Sequence, residues 1–123
     1  MNKKQIYAQL MRAGIVVATA LNKEHGFQGR ELQTLAEQIL FTLVDPQLEG
    51  GTIQDWTGED GQYFVTVRDA LKKEGLDPSF LGKILSNEDK EGVNRLWNTL
   101  DHKLSKFIPS LKSQKKSFAP TSI

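Results

Sequence analysis

The fold is decided by residues 32–43, which read LQTLAEQILFTL. Apolar side chains recur there at steps of three and one, at Leu32, Leu35, Ala36, Ile39, Leu40 and Leu43. This spacing places them on one face of an α-helix. The pair Asp45-Pro46 follows directly and ends the helix, because the residue before a proline avoids helical backbone angles. The stretch therefore predicts an amphipathic helix that buries one face.

Helical spacing also predicts elements before and after this stretch. The first helix spans about Lys3 to Glu24, and Gly26 supplies its stop. Its apolar row consists of Ile6, Leu10, Ala13, Val17 and Leu21. A third helix begins near Tyr63 and ends at Lys73, where cations and then Gly75 mark its end. Residues 63–67 are β-prone, so a short strand there remains the alternative.

Two further helices are predicted in the C-terminal half. Asp77-Pro78 is a start signal, and the helix that it opens runs through Leu85. Residues 86–89 resemble a capping box, in which Ser86 begins the last helix. The apolar face of that helix comprises Val93, Leu96, Trp97, Leu100, Leu104, Phe107 and Ile108. Pro109 closes it.

A long loop separates the second and third helices. Residues 45–61 contain four glycines and no sustained periodicity. All of their charges are acidic, namely Asp45, Glu49, Asp55, Glu59 and Asp60. A loop of this length inside a compact domain is often functional.

The predicted fold class is all-α, a small bundle of about five helices with a long acidic loop after the second. The chain has 123 residues, close to the commonest domain size. We expect one helical bundle domain over residues 1–109 and a basic C-terminal tail over residues 110–123. Lys and Ser dominate that tail.

The composition favours a cytoplasmic protein. Cysteine is absent, so the chain has no disulfide and no thiol ligand or nucleophile, and a reducing compartment fits. The apolar run from Ala13 to Leu21 resembles the hydrophobic part of a secretory signal, but no small-residue cleavage site follows it. It is also too short to cross a bilayer. We therefore interpret it as part of a helix and expect no membrane contact.

No arrangement of residues predicts catalysis, a metal or a cofactor. His25 and His102 lie far apart and belong to no metal-binding motif, and we expect His25 to cap helix-end carbonyls. The acidic loop fails the calcium-loop pattern, because Asp60 stands where glycine is required and Thr66 where glutamate is required. Phosphate-binding and dinucleotide-binding motifs are missing. The sequence therefore predicts a protein that is not an enzyme and has no small-molecule substrate.

The distribution of charge is the most informative functional signal. The net charge is +1, yet the ends of the chain are basic and the acidic loop is negative. A surface that contacts the phosphate backbone of RNA or DNA needs no sequence motif. The candidate nucleic-acid-binding residues are Lys3, Lys4, Arg12, Lys103, Lys106, Lys112, Lys115 and Lys116. Alternatively, Lys103 and Lys106 are solvated cations that complement the C-terminal end of their helix.

Trp56 is a candidate contact for a protein partner. It stands among polar and acidic loop residues. An exposed aromatic side chain flanked by acids favours protein over nucleic acid, because phosphates are repelled. Packing of Trp56 against the bundle is the alternative.

The chain resembles the small subunit of CRISPR effector (Cascade-like) ribonucleoprotein complexes. The resemblance covers residues 3–107 and consists of size, helicity, a basic face and a methionine that opens almost directly onto an amphipathic helix. It implies a small helical subunit that contacts the RNA–target region or the displaced strand, beside other protein subunits. No binding residue is transferred from the family, and the acidic loop departs from the pattern.

The sequence thus predicts a non-catalytic subunit of a nucleoprotein assembly. Its expected partners are other protein subunits and the backbone of RNA or single-stranded DNA. The alternative is a protein-binding adaptor or assembly factor without nucleic-acid contact, which would use the loop around Trp56 and an exposed part of the first helix.

Overall fold

A computed structural model describes residues 3–44 and 58–111. These residues form five α-helices, α1 (Lys3–His25), α2 (Gly29–Val44), α3 (Gly58–Lys73), α4 (Pro78–Ser86) and α5 (Lys90–Phe107), and a short 3-10 turn over Ile108–Ser110. The described part of the chain contains no strand. The predicted all-α fold class is therefore confirmed, and the alternative of a strand over residues 63–67 is wrong.

One apolar core joins all five helices. Leu40 of α2 and Leu100 of α5 are fully buried, as the predicted apolar faces require. The largest fully buried side chains are Leu10, Val17, Leu21, Leu32, Ile39, Leu40, Val67, Leu71, Leu81, Leu100 and Leu104. Trp97 departs from the prediction, because it is only half-buried and packs against the edge of the core.

Contacts along the chain define the directions of the helices. The ion pair between Arg12 and Glu74 and the contact between His25 and Thr66 show that α1 and α3 run antiparallel. α5 runs in the same direction as α1. Ile6 and Tyr7 line a crevice with Gly92 and Leu96, and Gly14, further along α1, lies against Leu100 and Leu104.

Local chemistry fixes the helix ends. Gly26 and Gly75 have positive φ angles of 77° and 73°, a region that glycine enters at little steric cost, so each stops a helix as predicted. The predicted capping box at residues 86–89 is wrong. The N-cap of α5 is Asp89, whose side chain accepts a hydrogen bond from the backbone N–H of Gly92. Because the Asp89 carboxylate itself accepts from this N–H, the hydroxyl group of Ser86 is not needed as a cap.

The predicted acidic loop is shorter at its C-terminal side than the sequence indicates. α3 begins at Gly58, so residues 58–61 are helical rather than loop. Residues 45–57, with Trp56 among them, lie outside the described residues.

The closest approach of α4 to α2 is made by backbone atoms. The carbonyl oxygen of Val44, at the end of α2, faces Gly82 so closely that a Cβ at position 82 would lie inside van der Waals contact. Only glycine, which has no Cβ, allows the two helices to pack this closely without a shift of the backbone. Gly82 therefore sets how α4 sits against α2.

No helix within the described ranges is both long and apolar enough to cross a membrane.

Candidate functional site

The structure locates four of the eight predicted nucleic-acid-binding side chains. Lys4 and Arg12 are exposed on α1, and Lys103 and Lys106 are exposed on α5. The first residue of α1 is Lys3, whose side chain is not described. Lys112, Lys115 and Lys116, together with the predicted protein contact Trp56, lie outside the described residues.

Lys103 and Lys106 lie together in the last two turns of α5. Residues three positions apart on a helix are neighbours on its surface. Thr99 and His102, which precede them by four residues each, extend the same exposed or half-exposed side of the helix. Neither lysine forms an ion pair with a residue that the structure describes. We call residues Thr99, His102, Lys103 and Lys106 the α5 basic patch.

The acidic group nearest in sequence to the α5 basic patch is directed away from it. Asp101 accepts a hydrogen bond from Gln33 Nε2 of α2, at 2.7 Å from its Oδ1. The same amide nitrogen lies 3.1 Å from the Asp101 backbone oxygen. Because Asp101 is held against α2, its negative charge does not form a direct ion pair with either lysine.

Arg12 is engaged with α3. Its Nη2 donates to the Glu74 carboxylate at 3.3 Å and to the Glu74 backbone oxygen at 3.2 Å. Both side chains are about half exposed, so the pair is a surface ion pair of small energetic effect. Its charge is nonetheless partly compensated, which makes Arg12 a poorer phosphate ligand than the lysines of the α5 basic patch.

Lys4 is not brought next to the α5 basic patch. Since α1 and α5 are parallel, Lys4 lies at the level of the beginning of α5, because Ile6, two residues further along α1, shares a crevice with Gly92. Lys103 lies further along α5, roughly 16 Å beyond Gly92 at about 1.5 Å per residue. The structure therefore joins Lys103 with Lys106 and leaves Lys4 and Arg12 elsewhere on the bundle.

The sequence did not predict the pair of carboxyl groups, Glu37 and Asp101, that lies between α2 and α5. Gln33 Nε2 also donates to Glu37 Oε2 at 3.1 Å, so one amide group bridges Glu37 and Asp101. Burial first, and then hydrogen bonding with the Asp101 side chain, raise the pKa of Glu37 to about 7, against the lowering effects of Gln33 and Arg30. The available signal was the spacing of Gln33 and Glu37, four residues apart on one side of α2.

The histidines occupy separate environments. His25 Nε2 lies 2.8 Å from Thr66 Oγ1, and its ring contacts Tyr63 edge-on at a centroid distance of 4.7 Å. Its predicted role in capping carbonyls is therefore wrong, since the ring turns toward α3. His102 is exposed on α5. Among the described residues, no group of three or more potential ligands (His, Asp or Glu) is arranged to hold a metal ion.

An open groove of about 590 Å³ runs between α1 and α3. Its lining includes Ile15, Val16, Ala20, Thr66 and Ala70, with charged residues at its rim. Ile15, in the middle of α1, is 38% exposed. The groove thus offers an apolar strip on the exposed side of α1.

Comparisons with known proteins give no match, whether to protein-family models, to curated proteins or to solved structures.

Proposed function

We propose that the protein is a non-catalytic helical subunit of a nucleoprotein assembly, which contacts the backbone of RNA or DNA through the α5 basic patch. The observation that carries the proposal is the placement of Lys103 and Lys106. Both are exposed and form no ion pair with the described residues, while the neighbouring Asp101 is held against α2. Two ammonium groups that have no ion-pair partner in the described ranges, beside the imidazole of His102, suit phosphate oxygens.

The proposal predicts weak, sequence-independent binding by the protein alone. A handful of phosphate contacts at physiological salt gives dissociation constants of roughly 1 μM to 0.1 mM. An assembly that aligns several copies, or adds basic neighbours, raises the effective affinity through multivalency. Cytoplasmic location and other protein subunits as partners belong to the same proposal, in keeping with the resemblance to CRISPR effector small subunits.

The test is a double charge reversal, Lys103→Glu with Lys106→Glu. The affinity of the full chain for a fluorescent single-stranded oligonucleotide, in RNA and DNA forms, is measured over a range of salt concentrations. Each lost phosphate contact lowers the slope of log affinity against log salt by about 0.7 for single strands. We expect weaker binding with a slope smaller by roughly 1.4 for two contacts, and the same effect on every sequence.

A matched control separates the patch from net charge. Lys72→Glu with Lys73→Glu makes the same change of charge on exposed lysines in the last turn of α3. This control should bind almost as the wild type does. Identical salt curves for the wild type and the Lys103/Lys106 variant, or an equal loss in the control, would reject the α5 basic patch as a nucleic-acid contact.

The second candidate function is a protein-binding adaptor or assembly factor. It is favoured by the exposed Ile15 and the groove between α1 and α3. If no oligonucleotide binds while stable protein companions copurify with the chain from its source, the adaptor becomes the better interpretation.

A further inference from the structure

The junction of α2 and α5 contains a carboxyl pair that the proposed function does not use. Glu37 of α2 and Asp101 of α5 are both acceptors for the side-chain amide of Gln33, which is only 7% exposed. The Asp101 side chain also lies within hydrogen-bonding range of Glu37. Because two ionised carboxylates have no hydrogen to share, a hydrogen bond between them needs a proton on one of them.

Glu37 is the group that holds the proton. Asp101 is the more exposed of the two carboxyl groups and receives the shorter bond from Gln33, 2.7 Å against 3.1 Å. Water and the amide therefore stabilise its charge better than they stabilise a charge on Glu37. Protonated Glu37 donates to the Asp101 carboxylate, and the pKa of Glu37, about 7, places the loss of this proton near neutrality.

Few other charges act on the pair. Arg30 of α2 favours the ionised form of Glu37, and Asp101 of α5 opposes it. Within the described residues, no charged group of α1, α3 or α4 contributes to the shift of Glu37. The protonation of Glu37 is therefore governed by the contact between α2 and α5 rather than by remote parts of the bundle.

We propose that Glu37, Gln33 and Asp101 form a proton-dependent latch between α2 and α5, which is closed when Glu37 is protonated and loosened when Glu37 ionises. In the closed latch, protonated Glu37 donates a hydrogen bond to the Asp101 carboxylate, and the Gln33 side-chain amide donates to both carboxyl groups. Ionisation removes the only hydrogen between them and leaves two like charges facing each other. The latch does not rest on nucleic-acid binding.

The structure supplies a reporter for the latch. Phe41 and Trp97 lie one helical turn away, four residues from Glu37 and Asp101 respectively, and their rings meet at a centroid distance of 5.0 Å. The carboxyl pair and the ring pair are thus successive contacts of the same junction. A loosened latch changes the surroundings of the Trp97 indole.

The experiment uses the full chain with Trp56→Phe, so that Trp97 is the one remaining tryptophan. Its fluorescence emission is followed from about pH 5 to about pH 8.5, a span that covers both sides of the Glu37 transition. We expect one transition near pH 7 that disappears in Glu37→Gln, because the glutamine amide still donates to Asp101 but does not ionise. Glu31→Gln, an exposed carboxylate in the first turn of α2, is the matched control and should keep the transition.

A second measurement decides the question if Glu37→Gln fails to fold. The carbon-13 resonance of the Glu37 carboxyl group in the wild-type chain should titrate near pH 7. Ordinary titration near pH 4.5, the usual value for this group, would overturn the latch. So would a Trp97 transition that persists in folded Glu37→Gln, because its cause would then be a group other than Glu37.

Discussion

α2 contacts its two neighbours in different ways. Against α4 its closest approach is made by backbone, where the Val44 carbonyl oxygen lies against Gly82. Against α5 it presents Gln33, Glu37 and Phe41, so polar and aromatic side chains form the junction. The first contact is limited by steric fit. The second, in the latch that we propose, depends on protonation, because partial burial makes the ionised form of Glu37 costly.

The largest expected effect comes from the buried apolar face of α2. Leu40→Ala removes a fully buried side chain from α2 and should destabilise the protein by about 2 to 5 kcal/mol. The measurement is the midpoint of denaturant unfolding. Leu35→Ala, a half-buried leucine on the same helix, serves as the control and should cost clearly less. Equal losses would mean that the faces of α2 are assigned wrongly.

Gly82→Ala tests the contact between α2 and α4. The new methyl group would collide with the Val44 backbone oxygen, which has no rotamer to change, so α4 must move. Overpacking of this kind costs about 1 to 3 kcal/mol, even though alanine is the better helix former. Lys83→Ala, the adjacent exposed position, should be close to neutral in the same unfolding measurement. A stabilised Gly82→Ala variant would contradict the close approach of the two helices.

The smallest expected effect concerns the contact between α2 and α5, and it depends on pH. The pKa of Glu37 is raised in the folded protein from 4.5 to about 7, so the folded state binds the proton more tightly. Its contribution to stability is fully present below about pH 4.5 and is lost as the pH rises to about 7. Partial exposure of Glu37 screens the effect and keeps it modest.

Glu37→Gln should remove this contribution to the pH dependence. Stability of the variant, measured by chemical denaturation at successive pH values, should fall less than that of the wild type between about pH 4.5 and pH 7. Gly82→Ala should shift the whole curve downward without changing its shape, since the clash that it introduces is with the Val44 backbone, which does not ionise. The same pH slope in Glu37→Gln and the wild type would remove the distinction between the two contacts.

The helices were predictable because each carries its own signals. Periodic leucines, Gly26, Gly75 and the Asp77-Pro78 start are all local, and local signals survive folding. The start of the third helix was placed too late. Its first turn at residues 58–61 is rich in glycine and acid, which is typical of a loop when no tertiary context is available.

The candidate sites were less predictable, because they depend on which helices meet. The sequence placed Lys103 and Lys106 three residues apart, but nothing in it indicated that Asp101 turns to α2 rather than toward them. Glu37 and Asp101 lie far apart in the chain, and a single sequence does not show that these two residues come close together in the fold. Trp97 was expected in the core because its neighbours are apolar, yet its ring lies at the edge against Phe41.

The parallel packing of α1 and α5 also has a consequence for how the chain folds. Gly14 lies against Leu100, so a central core contact joins residues near opposite ends of the described chain. Such a contact closes a long loop and is entropically expensive to form early. During synthesis on a ribosome, the core face of α1 cannot be covered by α5 until the chain has been made past Leu104. We therefore expect completion of the core to be a late event in biosynthesis, with α1 associating before then with α2 and α3, which are made earlier and also pack against it.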